Sequence, residues 1–397
     1  MEAPQRQQLA LLRDGLSRML ASGVWADRLS MDHLAEIRDL SDLAALPFTV
    51  KTDLSPALSR TIVPRRAIVR VHASSGTTQQ PTVVAYTAGD LDLWARLVAR
   101  GLAAVGVGSD SVVHSALGYG LFTGGLGFHA AAESLGATVI PASTGRSSRH
   151  LHLIAALSAD VLFATPSYAL HLAESVPAPP RIRLGVFGAE PWSEAMRTRL
   201  EAAWGMTAVD TYGLSEMIGP GVAWECLARD GMHLNEDAFL PEVVDPVTGA
   251  VLEDGQLGEL VLSSMAREAM PLLRYRTGDL TALERGQCGC GETLVRMRRV
   301  VGRVDEMVVV RGVNVYPGQL EAAVLSVSEA RGDWQAVVER PENLDVLTVT
   351  VEGAAEIQPA IEAALHDVLG LRATVVVVPP GRVGHGGGKR LGIQDNR

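Results

Sequence analysis

The chain has 397 residues, with 45 acidic and 35 basic side chains, three cysteines and 47% hydrophobic residues. That length suits two domains, or one large domain with a small companion, and the apolar content excludes a disordered or fibrous chain. A net charge of −10 argues against a nucleic-acid partner, which calls for a basic excess.

Met1 to Leu20 mixes Arg6, Arg13 and Arg18 with leucines at helical spacing and reads as a surface helix, without the apolar core and cleavage site of a signal peptide. From about Ala67 to Val209, short β-branched runs alternate with amphipathic stretches. Strands are expected at Val83–Tyr86, Ser111–Leu117, Thr138–Pro141, Val161–Ala164, Arg183–Phe187 and Ala208–Tyr212. Helices are expected at Gly89–Ala104, Gly125–Leu135, Arg149–Leu157 and Ser193–Ala203, the first with Thr87 and Asp90 as an N-cap pair. Such alternation implies a largely parallel sheet with helices on its faces and functional loops at the carboxyl ends of its strands. Ser111 to Ala132 holds no charged residue and is long enough to span a bilayer, but its five glycines and two histidines favour a buried strand, loop and helix over a membrane partner.

After Gly231, strand-like runs at Pro241–Asp245, Glu259–Ser263 and Leu272–Tyr275 suggest a subsidiary β region of the same domain. After Gly302, Val308–Val310, a helix over Pro317–Ser326, Trp334–Val338, Leu344–Val351, a helix over Ile357–Leu369 and Ala373–Val378 outline a compact α+β unit. The expected fold is therefore α/β: a large domain over 1–304 with mixed and parallel sheets, and a small α+β domain over 305–397.

Gly118-Tyr-Gly120-Leu-Phe-Thr-Gly124 is one residue too long for the dinucleotide fingerprint. Gly386-Gly-Gly-Lys389-Arg390 lacks both the first glycine and the Ser or Thr of a P-loop. Ser74-Ser75-Gly76-Thr77-Thr78-Gln79-Gln80-Pro81 offers hydroxyl and backbone donors to phosphate oxygens, with a polar hairpin as the plainer alternative.

Four more segments follow in order: Gly188-Ala189-Glu190-Pro-Trp192, Asp210-Thr-Tyr212-Gly213-Leu214-Ser-Glu216, Tyr275-Arg-Thr-Gly-Asp279 and Gly302-Arg303-Val-Asp305, with Lys389 beyond. With the Ser/Thr/Gly loop this series resembles the adenylate-forming superfamily of acyl-CoA synthetases, peptide-synthetase adenylation domains and luciferases. Leu117-Gly-Tyr119-Gly-Leu-Phe-Thr-Gly-Gly-Leu-Gly-Phe128-His129 and Arg311-Gly-Val-Asn314-Val-Tyr-Pro317 resemble the phenylacetate–CoA ligases in particular.

The resemblance implies ATP-dependent activation of an aromatic carboxylic acid to an acyl-adenylate, then transfer to coenzyme A. Loading of the phosphopantetheine of a carrier protein, or a non-catalytic nucleotide-binding regulator, are the rivals. It assigns Ser75, Gly76, Thr77 and Thr78 to the pyrophosphate, although Gln79 and Gln80 replace the usual Gly-Lys pair. It assigns Gly188, Ala189, Glu190, Asp210, Tyr212 and Gly213 to the adenine side, Asp279 and Arg303 to ribose and phosphate, Glu216 to magnesium and Asp305 to a hinge. Tyr119, Gly120, Phe122, Phe128, Gly213, Leu214 and Gly219 would line the acid pocket, and a homodimer is the family expectation.

Only Lys51 and Lys389 of the basic residues are lysines. Arginine replaces lysine wherever any positive charge serves, but not where a compact ammonium on a slim stem is needed. The resemblance makes Lys389 the catalytic cation that bridges the attacking carboxylate and the α-phosphate; Lys51, in Phe48-Thr-Val-Lys51-Thr-Asp53, gains no role. Arg296, Arg298, Arg299, Arg303 and Arg311 are expected to form a basic field for ATP and coenzyme A, or else ordinary surface charge. Cys226, His233, Cys288 and Cys290 would complete a structural zinc shell if the two halves meet, with free buried thiols as the alternative. A similar arrangement occurs among the phenylacetate-ligase relatives. Three cysteines in a large chain point to a reducing cytoplasm.

Overall fold

The computed structural model describes residues 3–74, 81–327, 329–330, 333–341, 344–383 and 392–397. Two compact units emerge. The first comprises Met1–Ala189, Trp204–Thr277 and Thr281–Arg299, and the second Glu190–Ala203, Gly278–Leu280 and Val300–Arg397.

The first unit is built on a nine-stranded mixed sheet. Thr138–Ile140, Val112–Ser115, Val161–Ala164, Leu184–Gly188 and Thr207–Leu214 run parallel as its first half. Gly219–Glu225, Met232–Leu234, Arg296–Met297 and Leu283–Glu284 continue it as antiparallel neighbours. Val161–Ala164 and Leu184–Gly188 are buried along their whole length, as parallel strands covered on both faces must be. The helix Ala88–Ala104 starts at the expected box: Thr87 Oγ1 accepts the Asp90 amide, and Asp90 Oδ2 accepts the Thr87 amide, both at 3.0 Å. Asp90 also accepts the amides of Glu268 and Ala269, at 2.7 and 3.0 Å, so one fully buried carboxylate caps a helix and anchors a distant loop.

The amino-terminal surface helix spans Ala3–Ser22 and turns Leu12, Leu16 and Met19 inward, almost completely buried. Two expectations need correction. The strand expected at Leu272–Tyr275 instead occupies Tyr275–Thr281. Arg274 explains the shift, because its φ of 43° breaks extended geometry. Its guanidinium binds Glu242 at 2.9 Å and the carbonyl of Leu46 at 2.8 Å. A helix over Pro166–Glu174, capped by Thr165 and opened by Pro166, was not anticipated. The uncharged stretch from Ser111 divides into the strand Val112–Ser115 and the helix Gly124–Ser134. No helix among the described residues is long and apolar enough to cross a membrane.

The second unit contains a four-stranded sheet in the order Thr374–Val378, Val346–Glu352, Trp334–Glu339, Ile393–Asp395. Its central pair is antiparallel and its two outer pairs are parallel. The helices Pro317–Leu325 and Gln358–Leu369 pack on it through Leu320, Val324, Ile361 and Leu365.

Candidate active site

In the first unit, the expected adenine-side residues other than Glu190 fall toward the carboxyl ends of two neighbouring parallel strands, Leu184–Gly188 and Thr207–Leu214. The chains approach closely there: a Cβ at Gly188 would stand 2.5 Å from the Thr211 carbonyl oxygen, and Ala189 turns with a φ of 70°. Asp210 is nearly buried, and its carboxylate accepts the Thr211 amide at 2.9 Å and faces Arg299 at 3.6 Å. Tyr212 is half-buried. The ladder to Gly219–Glu225 then shifts register between Tyr212 and Gly213. A Cβ at Gly213 would lie 2.0 Å from the Gly219 carbonyl oxygen, so only glycine allows this crossing.

The turn that follows carries Glu216, with its side chain only 7% exposed. Arg267, wholly buried, donates to the Glu216 carbonyl at 2.9 Å and to the Ala85 carbonyl at 2.8 Å. The Glu216 carboxylate itself faces Lys51, whose Nζ stands 3.4 Å from Oε1. A magnesium ion held by one carboxylate and by phosphates needs a hard oxygen in a place that tolerates a cation. The ammonium beside Glu216 marks such a place, so the residue fits the metal.

Among the expected acid-pocket residues, Tyr119 and Phe122 are half-buried and Gly120 is exposed. Phe128 is buried against Phe163, with ring centroids 4.9 Å apart. Leu214 lies at the end of the strand Thr207–Leu214, and Gly219 begins its antiparallel partner. Tyr119 has a polar support that the motif did not announce. Its hydroxyl lies 3.1 Å from His129 Nδ1, and His129 Nε2 lies 2.9 Å from Glu133 Oε1. With Nε2–H donated to Glu133, Nδ1 accepts the phenolic proton. Burial pushes the Tyr119 pKa above the usual phenol range. A cavity of about 440 Å³ lined by Arg70, Leu91, Trp94, Leu126, Gly127 and Glu133 contains none of the expected acid-binding residues.

In the second unit, Asp279 and Arg303 face each other in antiparallel register. Arg303 Nη1 donates to Asp279 Oδ1 at 2.7 Å, and Nε donates to the expected hinge residue Asp305 at 2.9 Å. Burial alone would lower the Arg303 pKa, but Asp279, Asp305 and Glu306 raise it on balance. Glu190 opens the stretch Glu190–Ala203 of the same unit. The expected basic field is instead largely neutralised: Arg296 pairs with Asp230, Arg298 with Glu284, Arg299 with Asp210 and Arg303 with Asp279. Ser75, Gly76, Thr77, Thr78, Gln79, Gln80 and Lys389 lie outside the described residues.

The cysteines do meet in the first unit. Cys226 follows the strand Gly219–Glu225, His233 lies on Met232–Leu234, and Cys288 and Cys290 occupy the link between Leu283–Glu284 and Arg296–Met297. Because these four strands are sheet neighbours, all four ligand atoms come within 4.8 Å of one another. Cys226 Sγ is 3.7 Å from Cys288 Sγ, and Cys290 Sγ is 3.4 Å from His233 Nε2. A tetrahedron with Zn–S of about 2.3 Å and Zn–N of about 2.0 Å has edges of roughly 3.5–3.8 Å, so the set fits zinc. Burial depresses the His233 pKa, favouring the neutral ligating ring, and pushes the Cys226 thiol up to about 12.

Residues 24–267 match the family described as AMP-binding enzyme, and residues 312–397 match the AMP-binding enzyme C-terminal domain. A phenylacetate–coenzyme A ligase of Thermus thermophilus is 45% identical over 386 residues, covering 89% of this chain and 87% of the relative. The Escherichia coli protein of the same name is 42% identical, covering 92% and 88%. A 2-hydroxyisobutyryl-CoA ligase solved in the postadenylation state with R3-HIB-AMP shares the fold at a TM-score of 0.91 and 26% identity, covering 100% of this chain and 91% of that one. With two family models matched in order and its curated relatives aligned over most of its length, the chain belongs to the AMP-binding enzyme family, among the adenylate-forming ligases related to phenylacetate–coenzyme A ligase.

Proposed function

We propose that the acid activated by this chain is aromatic, phenylacetate or a close relative. The chain is an AMP-forming acid–thiol ligase: ATP converts the carboxylate to an acyl-adenylate, and coenzyme A then takes the acyl group. The aromatic reading is carried by one observation, the match of most of the chain to ligases named for phenylacetate.

In the adenylation step a carboxylate oxygen attacks the α-phosphorus and pyrophosphate leaves, so the protein positions the reactants and neutralises charge. Tyr212 and the Gly188–Ala189 turn would pack on adenine. Asp279, already bonded to Arg303, would accept the ribose hydroxyls while Arg303 reaches toward phosphate. Glu216 would hold magnesium, which offsets phosphate charge when bound. Ser75, Gly76, Thr77 and Thr78 would donate hydrogen bonds to the departing pyrophosphate. Lys389 would balance the charge shared by carboxylate and α-phosphate, a task for a point-charge ammonium. Tyr119, held by His129 and Glu133, and Phe122 would contact the ring. Zinc at the four clustered ligands would tie the antiparallel half of the large sheet together and take no part in the reaction. Its thiolates favour a reducing compartment such as the cytoplasm.

Pyrophosphate exchange with benzoates, anthranilates and phenylacetates tests the reading. Exchange is expected with at least one aryl acid, falling by several orders of magnitude in Lys389→Ala. Formation of the thioester with coenzyme A, run in parallel, tests the acceptor. Activity confined to aliphatic acids, or retained in full without Lys389, refutes the assignment.

A further inference from the structure

Lys51 is the lysine that the activation chemistry leaves without a task. The backbone beneath it is held from three directions. Arg28 donates to the Phe48 carbonyl at 2.8 Å and pairs with Asp53; Asp53 Oδ2 accepts the Val50 amide at 2.8 Å. Thr49 exchanges hydrogen bonds with the strand opposite, its amide donating to the Arg274 carbonyl at 3.0 Å and its carbonyl accepting the Arg276 amide at 2.9 Å. On this base the short 3-10 turn Lys51–Leu54 sets the Lys51 ammonium 3.4 Å from Glu216. The two partners differ sharply in environment: the Lys51 side chain is 43% exposed and that of Glu216 only 7%. Among the described residues Arg267 is also near, and its Nη1 and Nη2 donate to two carbonyls rather than to this carboxylate.

A carboxylate this enclosed is costly without a counter-charge. Magnesium, reluctant to shed water, binds through one or two carboxylates together with substrate phosphates, so it arrives with the nucleotide. Between turnovers something else must neutralise Glu216. A half-exposed ammonium does this and then withdraws into water at small cost. An arginine fork would grip both carboxylate oxygens and release them less readily, which accounts for a lysine here in a chain whose basic residues, Lys389 apart, are otherwise arginine.

We propose that Lys51 is a resident counter-ion that holds Glu216 until the divalent cation accompanying ATP displaces it. The inference rests on Glu216 being the magnesium ligand. It makes Lys51 a positioning residue, and it explains why this lysine sits outside every nucleotide motif.

The scarcity of lysine supplies the test. Reductive methylation with ¹³C-formaldehyde keeps the charge and labels two side chains, Lys51 and Lys389, besides the α-amine, with Lys51→Arg and Lys389→Arg giving the assignment. In the nucleotide-free protein the Lys51 signal is expected to differ from its position in Glu216→Gln. Saturation with MgCl₂ and α,β-methylene ATP is expected to move it to that position. By calorimetry, the magnesium concentration giving half-maximal binding of the analogue is expected to fall about fivefold in Lys51→Met, the upper range for half-exposed pairs, and not to fall in Lys51→Arg. A Lys51 signal identical in wild type and Glu216→Gln, or unmoved at saturation, overturns the proposal, as does an unaltered magnesium requirement in Lys51→Met. If Glu216→Gln keeps the full magnesium dependence of nucleotide binding, Glu216 is not the ligand and the inference falls with it. If that dependence is lost while the wild-type Lys51 signal stays fixed, only the role of Lys51 is refuted.

Discussion

His114 and His150 form a neutral pair inside the first unit, and lowering the pH should weaken that unit through them. His114 lies on the strand Val112–Ser115 and His150 on the helix Ser147–Ala156, exposed by 0% and 1%. His114 Nε2 is 2.9 Å from His150 Nδ1, so one ring donates and the other accepts, an arrangement available to two uncharged imidazoles. Burial, reinforced by the neighbouring ring, depresses the His114 pKa to about 4, and burial also depresses that of His150. In the unfolded chain a histidine titrates near about 6.5. Between those values the unfolded state binds a proton that the folded state refuses. The contribution of His114 is therefore complete above pH 6.5 and is lost as the pH falls toward 4. A difference of roughly 2.5 units at ~1.4 kcal/mol each amounts to about 3 kcal/mol, with His150 adding in the same direction. Denaturant unfolding of wild type and His114→Gln, followed by tryptophan fluorescence at pH 7 and 4.5, measures this. Wild type is expected to lose about 2 kcal/mol more than the variant over that interval. Equal losses would refute the reasoning.

Two further outcomes follow from the same packing logic. Protein purified without added zinc should carry close to one zinc per chain, less in Cys288→Ser, with chelation lowering the melting temperature; absence of stoichiometric metal ends the zinc proposal. Gly213→Ala, which would press a methyl into the Gly219 carbonyl, should destabilise the large unit by about 1–3 kcal/mol and raise KM for ATP, and an unaltered KM would show that the Tyr212–Glu216 turn does not touch nucleotide.

The alternating strands and helices from Val83 to Tyr212 were legible because period and punctuation agree there, down to the Thr87 and Asp90 cap. The strand around Leu272 was misplaced because an apolar run does not reveal the positive φ at Arg274. Thr165-Pro166 is a readable helix start, a capping hydroxyl followed by proline. Convergence of Cys226 and His233 with Cys288 and Cys290 depends on strand neighbours far apart in sequence, which spacing alone does not encode. The same holds for Lys51 and Glu216, and for the carboxylates that neutralise the arginines around Arg303. Motif order pointed to the chemistry, while charge pairing across the sheets had to be seen.

The carboxyl end of the chain belongs to the sheet of the second unit. Ile393–Asp395 pairs in parallel with Ala336–Val338, and Arg397 bonds to the Val309 carbonyl at 2.8 Å and to Asp345 at 2.9 Å. On the other side of the Lys389 stretch in sequence, the Val383 amide donates to Glu352 at 2.7 Å. For anyone handling the protein this sets an asymmetry between its ends. A purification tag or surface tether joined after Arg397 pulls on the strand that closes the small sheet, which begins four residues after Lys389 in sequence. One joined ahead of Met1 precedes the helix Ala3–Ser22, far from Lys389 along the chain. Immobilised enzyme should therefore be attached by its amino end, and a loss of turnover on carboxyl-end fusion would report on that last strand.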